Sequence, residues 1–193
     1  KSPGSSHCIG CDQNDCEQSM ITYEEAQKRI IQHARPLLSE LRPVQESIGC
    51  VIASNLHAPI NLPGFDNSAM DGFVLKAADT EGASLMNPTR FEILGSLRAG
   101  SSGTLSLERG KAFRIMTGAP IPGGADTVLE KEKALVQSRF LMITEPLRKG
   151  RHVRCRGEEI TKGSCIDLCG AVITPGVTGF LSSLGVEQVR IYL

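Results

Sequence analysis

From residue 58 to about 145, short apolar runs alternate with loops rich in Gly, Pro and Ser, and this constrains the fold more than any other feature. The runs are Phe73-Val-Leu75, Phe91-Glu-Ile-Leu94, Ala112-Phe-Arg-Ile-Met116, Thr127-Val-Leu129 and Phe140-Leu-Met-Ile143. Each is too short for a buried helix and is bounded by turn formers such as Ala99-Gly-Ser-Ser-Gly103 and Glu108-Arg-Gly110, so strands are expected. Several short strands at this spacing predict a small sandwich or barrel. With no Trp, two Tyr and six Phe, the core must rest on Ile, Leu, Val and Ala.

The flanks read differently. Thr22 and Glu25 form a capping box. Ala26, Ile30, Ala34, Leu37 and Leu41 then recur at helical spacing, widened by Ile31 and Leu38. This predicts an amphipathic helix that Pro36 kinks or restarts. Residues 42 to 57 read as short strands or turns. Near the C-terminus Thr174 caps a second helix, Pro175 sits in its first turn and Gly185 stops it. A strand follows by alternation, Val189 and Ile191 against Gln188, Arg190 and Tyr192. The expected class is therefore α+β. A discontinuous mixed α/β domain, residues 21–57 and 160–193, carries the N-terminal helix, and a β-rich domain of sandwich or barrel type, residues 58–159, is inserted in it. Residues 1–20, polar and without hydrophobic period, are expected to form a flexible tail.

Composition excludes several classes. The 193 residues carry 21 basic and 21 acidic side chains. A general nucleic-acid binder would show a basic excess. No apolar run reaches the ~18 residues of a membrane span, and the N-terminus lacks a signal-peptide core. A cytoplasmic protein is the expectation. Seven cysteines at irregular spacing do not fit a disulfide framework. Reduced thiols are expected. His7, Cys8, Cys11 and Cys16 are zinc-type ligands, but a second Cys-x-x-Cys pair is missing, so both a metal-sensing role and no role stay open.

Three loops carry candidate chemistry. Leu62-Pro-Gly-Phe-Asp-Asn-Ser-Ala-Met-Asp-Gly-Phe73 packs Asp66, Asn67, Ser68 and Asp71 between turn formers. Such dense oxygen ligands suit a hard cation or a polar substrate. Ser68-Ala-Met-Asp71 also has the form of a helix capping box, and Asp66, Asn67 and Gly72 are ordinary turn formers, so a structural role stays open. The closing Glu of an EF-hand is absent. The second loop, Arg114-Ile-Met-Thr-Gly-Ala-Pro-Ile-Pro-Gly-Gly-Ala-Asp126, combines stiff prolines with glycines that admit a ligand, and Thr117 follows a strand. It lacks a P-loop lysine. Glu130 and Glu132, just beyond, read as exposed strand-end acids. The third loop, Arg148-Lys-Gly-Arg-His-Val-Arg-Cys-Arg156 followed by Gly157-Glu-Glu159, places five cations and a His before two acids. Its arginines suit an oxyanion, and a solvated charged loop is the alternative. His-Glu-x-x-His and Gly-x-Ser-x-Gly motifs are absent, and no Cys sits beside a base.

In order and spacing, Pro63-Gly-Phe-Asp-Asn-Ser-Ala-Met-Asp-Gly-Phe73, Arg114-Ile-Met-Thr-Gly-Ala-Pro-Ile-Pro122 and Arg156-Gly-Glu-Glu-Ile160 resemble the molybdopterin molybdenumtransferase family, the MoeA group that includes the E domain of gephyrin. Gly170-Ala-Val-Ile-Thr-Pro175 and Ser183-Leu-Gly-Val-Glu-Gln-Val-Arg-Ile191 extend the resemblance over about residues 21 to 193. It implies the last step of molybdenum-cofactor synthesis: molybdate is inserted into adenylylated molybdopterin, AMP leaves, and a divalent cation such as Mg2+ assists. It implies that Asp71, Thr117 and Glu159 are catalytic. Asp66, Ser68, Arg154 and Arg156 are expected to bind substrate. Glu159 departs from the Asp usual in the family. The resemblance also implies a homodimer, with molybdopterin adenylyltransferase as a possible partner, and a longer protein, because family members continue into a pterin-binding domain close to where this chain stops. The fragment alone is then expected to be inactive. A noncatalytic, gephyrin-like scaffold or dimerisation module is the alternative.

Overall fold

The computed structural model describes residues 21–100 and 105–193. The expected tail, with His7, Cys8, Cys11 and Cys16, lies outside them. The chain divides into two compact units at Leu38.

In the first unit, α1 spans Tyr23–His33. Thr22 Oγ1 accepts from the Glu25 amide at 3.2 Å, as the capping-box reading expects. Arg29 Nε reaches Glu25 at 3.0 Å one turn back. The helix does not run on through Leu41. Ala34 is already extended and its amide closes the last turn on Ile30 and Ile31. Pro36 lacks an amide donor and disfavours helical backbone before it, so the apolar spacing beyond His33 overstates the helix.

Among its described residues the second unit contains α2 and twelve strands. In chain order these are β1 (Ser39–Pro43), β2 (Leu56–His57), β3 (Asn67–Ser68), β4 (Gly72–Leu75), β5 (Thr89–Leu97), β6 (Lys111–Ile115), β7 (Thr127–Glu130), β8 (Leu135–Gln137), β9 (Phe140–Ile143), β10 (Val153–Arg154), β11 (Cys165–Ile166) and β12 (Gln188–Tyr192); α2 is Pro175–Ser183. The described chain is thus mostly β with two helices. Leu41, expected on the helix, belongs to β1 and pairs with Arg190 of β12.

The five apolar runs become β4, β5, β6, β7 and β9. With β8 they form one six-stranded sheet in the order β7-β4-β6-β5-β9-β8. The expected barrel is realised in part, as a curled half-barrel sheet that leaves β7 and β8 at its edges. Pairs are antiparallel except β5–β6. β8 escapes the apolar-run criterion because all three of its residues are exposed. Val74, Leu75, Phe91, Ile115, Val128, Leu141 and Ile143 fill the core of this sheet. Each such side chain contributes roughly 1.5–3 kcal/mol by leaving water.

A second core joins the two ends of the unit: Val44 and Ile52 meet Ile173, Leu181, Val189 and Ile191. β1 pairs with β12 and β2 with β11, both antiparallel. Thr174 caps α2 by accepting from the Val177 amide, and Pro175 opens it. β3 pairs with β10, and this small ribbon brings two of the three candidate loops together.

Candidate functional site

The segment from Leu62 to Asp71 is a strip of backbone on which the other two loops are hung. The Leu62 carbonyl accepts from the amides of Glu159 and Ile160, both at 3.0 Å, and the Pro63 carbonyl accepts from Gly157 at 2.9 Å. Asp66 Oδ1 accepts from the Arg156 amide at 2.7 Å. The Asp66 carbonyl receives the Ile121 amide at 3.0 Å, while Ser68 exchanges bonds with Gly118 and Ala119 at 2.8 and 3.0 Å. Farther along, Ala69 donates to His152 and the Asp71 carbonyl accepts from Lys131. Paired backbone groups of this density fix a loop as firmly as a strand. The glycines suit it: Gly118 and Gly157 both have φ in the left-handed region.

On this strip Asp71 meets Thr117. Asp71 Oδ1 accepts two hydrogen bonds at 2.9 Å, one from the Thr117 amide and one from its hydroxyl. Lys131 Nζ stands 3.5 Å from Oδ2. The Thr117 amide first, then its hydroxyl and Lys131, hold the Asp71 carboxyl below the usual carboxylate range. Asp71 is therefore an anion at neutral pH with Oδ2 turned toward a cation. The single hydroxyl proton of Thr117 is engaged, so binding an oxyanion requires that bond to be exchanged.

Ser68 is fully buried. Its hydroxyl donates to the Met70 carbonyl at 2.6 Å and accepts from the Met70 amide at 3.3 Å. Ser68 and Asp71 cap no helix, contrary to the capping-box reading. The hydroxyl closes a tight local turn, a common use of Ser outside helices, and in this position it shapes the loop rather than meeting solvent.

Arg154 is held by two acids. Its Nε meets Glu158 Oε1 at 3.1 Å and its Nη2 meets Glu159 Oε1. Glu158 first, then Glu159, raise the guanidinium pKa further. Two carboxylates around one guanidinium leave this corner net negative, so Arg154 is already satisfied and is a poor free anion receptor. Arg156 is exposed; its amide, not its guanidinium, serves Asp66. Among the described residues no hydrogen bond or ion pair joins the Asp71–Thr117 pair to the Arg154–Glu158–Glu159 cluster.

Glu130, expected as an exposed strand-end acid, is 8% exposed. One Nη of Arg151 donates to both of its oxygens at 2.8 and 2.9 Å. Lys133 Nζ lies at 2.8 Å and His152 Nε2 at 3.4 Å. Burial alone would raise the Glu130 pKa; hydrogen bonds from Lys133, its own backbone and Arg151 outweigh it and hold it at about 2. The basic run 148–156, one cluster in sequence, is thus split in space. Arg151 and His152 turn to Glu130, and Arg154 turns to Glu158 and Glu159. The place of Lys131 beside Asp71 is not legible in sequence either: a Lys after a strand is ordinary, and only its contact with Asp71 distinguishes it.

Among the described residues no three His, Cys, Asp or Glu side chains converge into a metal cage. Mg2+ needs only one or two carboxylates when substrate oxygens and waters complete its shell. Asp71 is one carboxylate of that kind, ionised and partly exposed. No helix among the described residues is long and apolar enough to cross a membrane.

Comparisons with known proteins show what the chain is similar to. Residues 21–185 match the family described as MoeA N-terminal region (domain I and II). Molybdopterin molybdenumtransferase 2 of Mycobacterium tuberculosis is 33% identical over 89% of this chain and 42% of its own length. Molybdopterin molybdenumtransferase of Staphylococcus aureus is 31% identical over 91% of this chain and 42% of its own. The solved molybdopterin biosynthesis moeA protein of Pyrococcus horikoshii OT3 superposes with a TM-score of 0.83 at 27% identity, over 90% of this chain and 46% of that one. A second Pyrococcus structure gives 0.76 at 30% identity, over 88% and 43%. The chain therefore spans less than half the length of these relatives, and it belongs to the MoeA family as a homologue of its N-terminal region.

Proposed function

We propose that this chain supplies one wall of a cleft in which molybdate is inserted into adenylylated molybdopterin and AMP is released. One observation carries the reading: in a chain of this family, Asp71 and Thr117 lie 46 residues apart and meet through two hydrogen bonds of 2.9 Å. Thr117 keeps Asp71 ionised and fixes its direction. Asp71, with Asp66 nearby on the same strip, would hold a Mg2+ ion, which when bound neutralises phosphate and molybdate oxygens. Lys131 lies beside Asp71 and offers a positive charge to an incoming anion. Arg154 orients Glu159, whose longer side chain takes the place of the family's Asp. In this reading a pterin-binding domain of a partner subunit, in a homodimer, completes the cleft, and a molybdopterin adenylyltransferase supplies the substrate.

The test uses the full-length protein in a host that lacks this activity. Wild type restores molybdoenzyme activity; Asp71→Asn, of equal melting temperature, restores about a hundredfold less or worse, the usual loss on removing a catalytic carboxylate. Normal restoration by Asp71→Asn would remove the assignment.

A further inference from the structure

The two edges of the large sheet end differently. β7 is covered: its Val128 amide donates to the Arg151 carbonyl at 2.9 Å, and the Asp126 carbonyl just before it accepts from Gly150 at 2.7 Å. β8 has β9 on one side and, among the described residues, no strand on the other. Register sets the direction of its free groups. Glu92 of β5 faces Phe140 of β9, and the next amide, Ile93, donates to the Arg139 carbonyl at 2.9 Å. Backbone groups alternate sides along an antiparallel strand, so Arg139, Leu141 and Ile143 bond toward β5 while Phe140 and Met142 bond toward β8. Their partners Gln137 and Leu135 therefore bond inward to β9. Val136 lies between these two, so its N–H and C=O both point off the sheet. An exposed edge with a free donor and acceptor is a template for a further strand.

The outer face beside this edge carries a surplus of positive charge. Val136 pairs with the buried Leu141, which places Leu135, Gln137, Phe140 and Met142 on the face turned away from the core. Arg90, paired with Met142, shares that face. Its guanidinium carbon lies 3.4 Å from the centre of the Phe140 ring, and that of Arg139 lies 5.2 Å from it. Arg139 is engaged by Glu92 at 3.7 Å. Arg90 is exposed and forms no ion pair among the described residues. Stacking on the ring holds the guanidinium flat and leaves the N–H groups at its rim open to an acceptor. A hollow of about 460 Å³ is lined by Arg90, Gln137, Ser138, Phe140 and Met142. An unpaired guanidinium, an amide, a hydroxyl and an apolar floor suit a carboxylate side chain carried close to an apolar one.

We infer that β8 is a docking edge for an extended, acidic segment of another protein, which adds to the sheet as one more antiparallel strand. One residue of that segment exchanges both backbone hydrogen bonds with Val136. The residue before it faces Gln137 and carries a carboxylate to Arg90 over the Phe140 ring. The residue after it is apolar and faces Leu135. The pattern recognised, from N- to C-terminus, is acidic–any–apolar. Main-chain pairing supplies the attachment, and the alternate side chains supply the specificity. The occupant is a strand because the edge offers a backbone donor and acceptor, and it is acidic because Arg90 is the charge left unpaired beside that edge. None of these groups bonds to Asp71 or Thr117, and docking here is independent of the proposed chemistry.

The test is selection of peptides from a random library displayed on phage against this chain, with affinities of the recovered peptides read by fluorescence polarisation. Recovered peptides share an acidic residue, then any residue, then Val, Ile or Leu. Arg90→Gln weakens the tightest of them about tenfold, the effect of losing a charged hydrogen bond. Replacing the acid of the peptide by its amide does the same with unaltered protein, which covers a folding failure of Arg90→Gln. N-methylation of the middle residue, which removes the donor to Val136, weakens binding about tenfold or more. N-methylation of the acidic residue, whose N–H faces away from β8, leaves it unchanged. Lys162→Gln, an exposed charge on another loop, also leaves it unchanged. Absence of enrichment, enriched peptides without the acidic–apolar spacing, or equal affinity for the two N-methylated peptides overturns the proposal. Equal affinity for the acid and its amide removes the role of Arg90. If a second copy of this chain takes the edge instead, no peptide is enriched, and sedimentation shows a self-association that Val136→Pro abolishes by removing the donor; that result also overturns the proposal.

Discussion

Asp71 illustrates how a residue can be identifiable in sequence and still undetermined in role. Its motif marks it, but the same letters also spell a capped turn. In the fold no helix follows it; instead Thr117, in the turn after β6, donates twice to one of its oxygens. Gly72, next in the chain, is a sharper case. As a letter it reads as a turn former. In the fold it is a buried strand residue in the middle of the sheet, and a Cβ there would run into the Leu129 carbonyl and come within 3.1 Å of Glu130 Cα. Neither neighbour is a flexible side chain, so the backbone of β7 would have to move. Gly72→Ala is expected to cost about 3 kcal/mol or more, the upper range for overpacking, and the midpoint of urea unfolding checks it. An unchanged midpoint would show that β7 yields freely at this point. Ser68 runs the other way: it is rich in chemistry as a letter and fully committed to Met70 in the fold.

Elements were legible where a single local signal governs them. The five apolar runs became five strands because each buries a contiguous face. Helix α2 was legible because its start is written in Thr174 and Pro175, and the cap bond is present at 3.3 Å. Thr174→Ala should therefore destabilise the unit by about 1 kcal/mol, the typical loss of an N-cap. Differential scanning calorimetry reads it as a lower melting temperature, and Thr174→Asn or Thr174→Ser should restore most of it. Signals that compete were less legible. Leu37 and Leu41 keep the helical spacing of α1, yet Pro36 ends it, and the backbone of Leu41 finds a better set of partners in β12. β8 has no buried residue, so its existence depends on the edge of β9 and not on its own hydrophobicity.

For the molecule as a whole, the charges that matter to stability are those that the fold collects. Glu130 is held at about 2 against an ordinary 4.5. The sign follows from linkage: the unfolded chain takes up this proton first as pH falls. The contribution of Glu130 is complete above about pH 4.5 and is lost as pH falls toward about 2. Urea unfolding from neutral pH down to about pH 2.5 should show a midpoint that drops through this window. Glu130→Gln should be less stable at neutral pH by about 2 kcal/mol, a charged hydrogen bond's worth, and should show a shallower acid decline. An identical pH profile in the variant would assign the decline to other carboxylates. By itself the sequence determined the five apolar strands of the large sheet and the starts of both helices, because burial and capping are local properties of a few neighbouring residues. It also determined the family, because three long motifs keep their order. Only the tertiary structure decided that the sheet stays open, that the basic run divides between Glu130 and the Glu158–Glu159 pair, and that Arg90 is left unpaired beside the open edge of β8. These outcomes depend on contacts between residues distant in the chain, and the energy of such a contact is fixed by where the backbone places both partners, which neither partner's neighbours can specify.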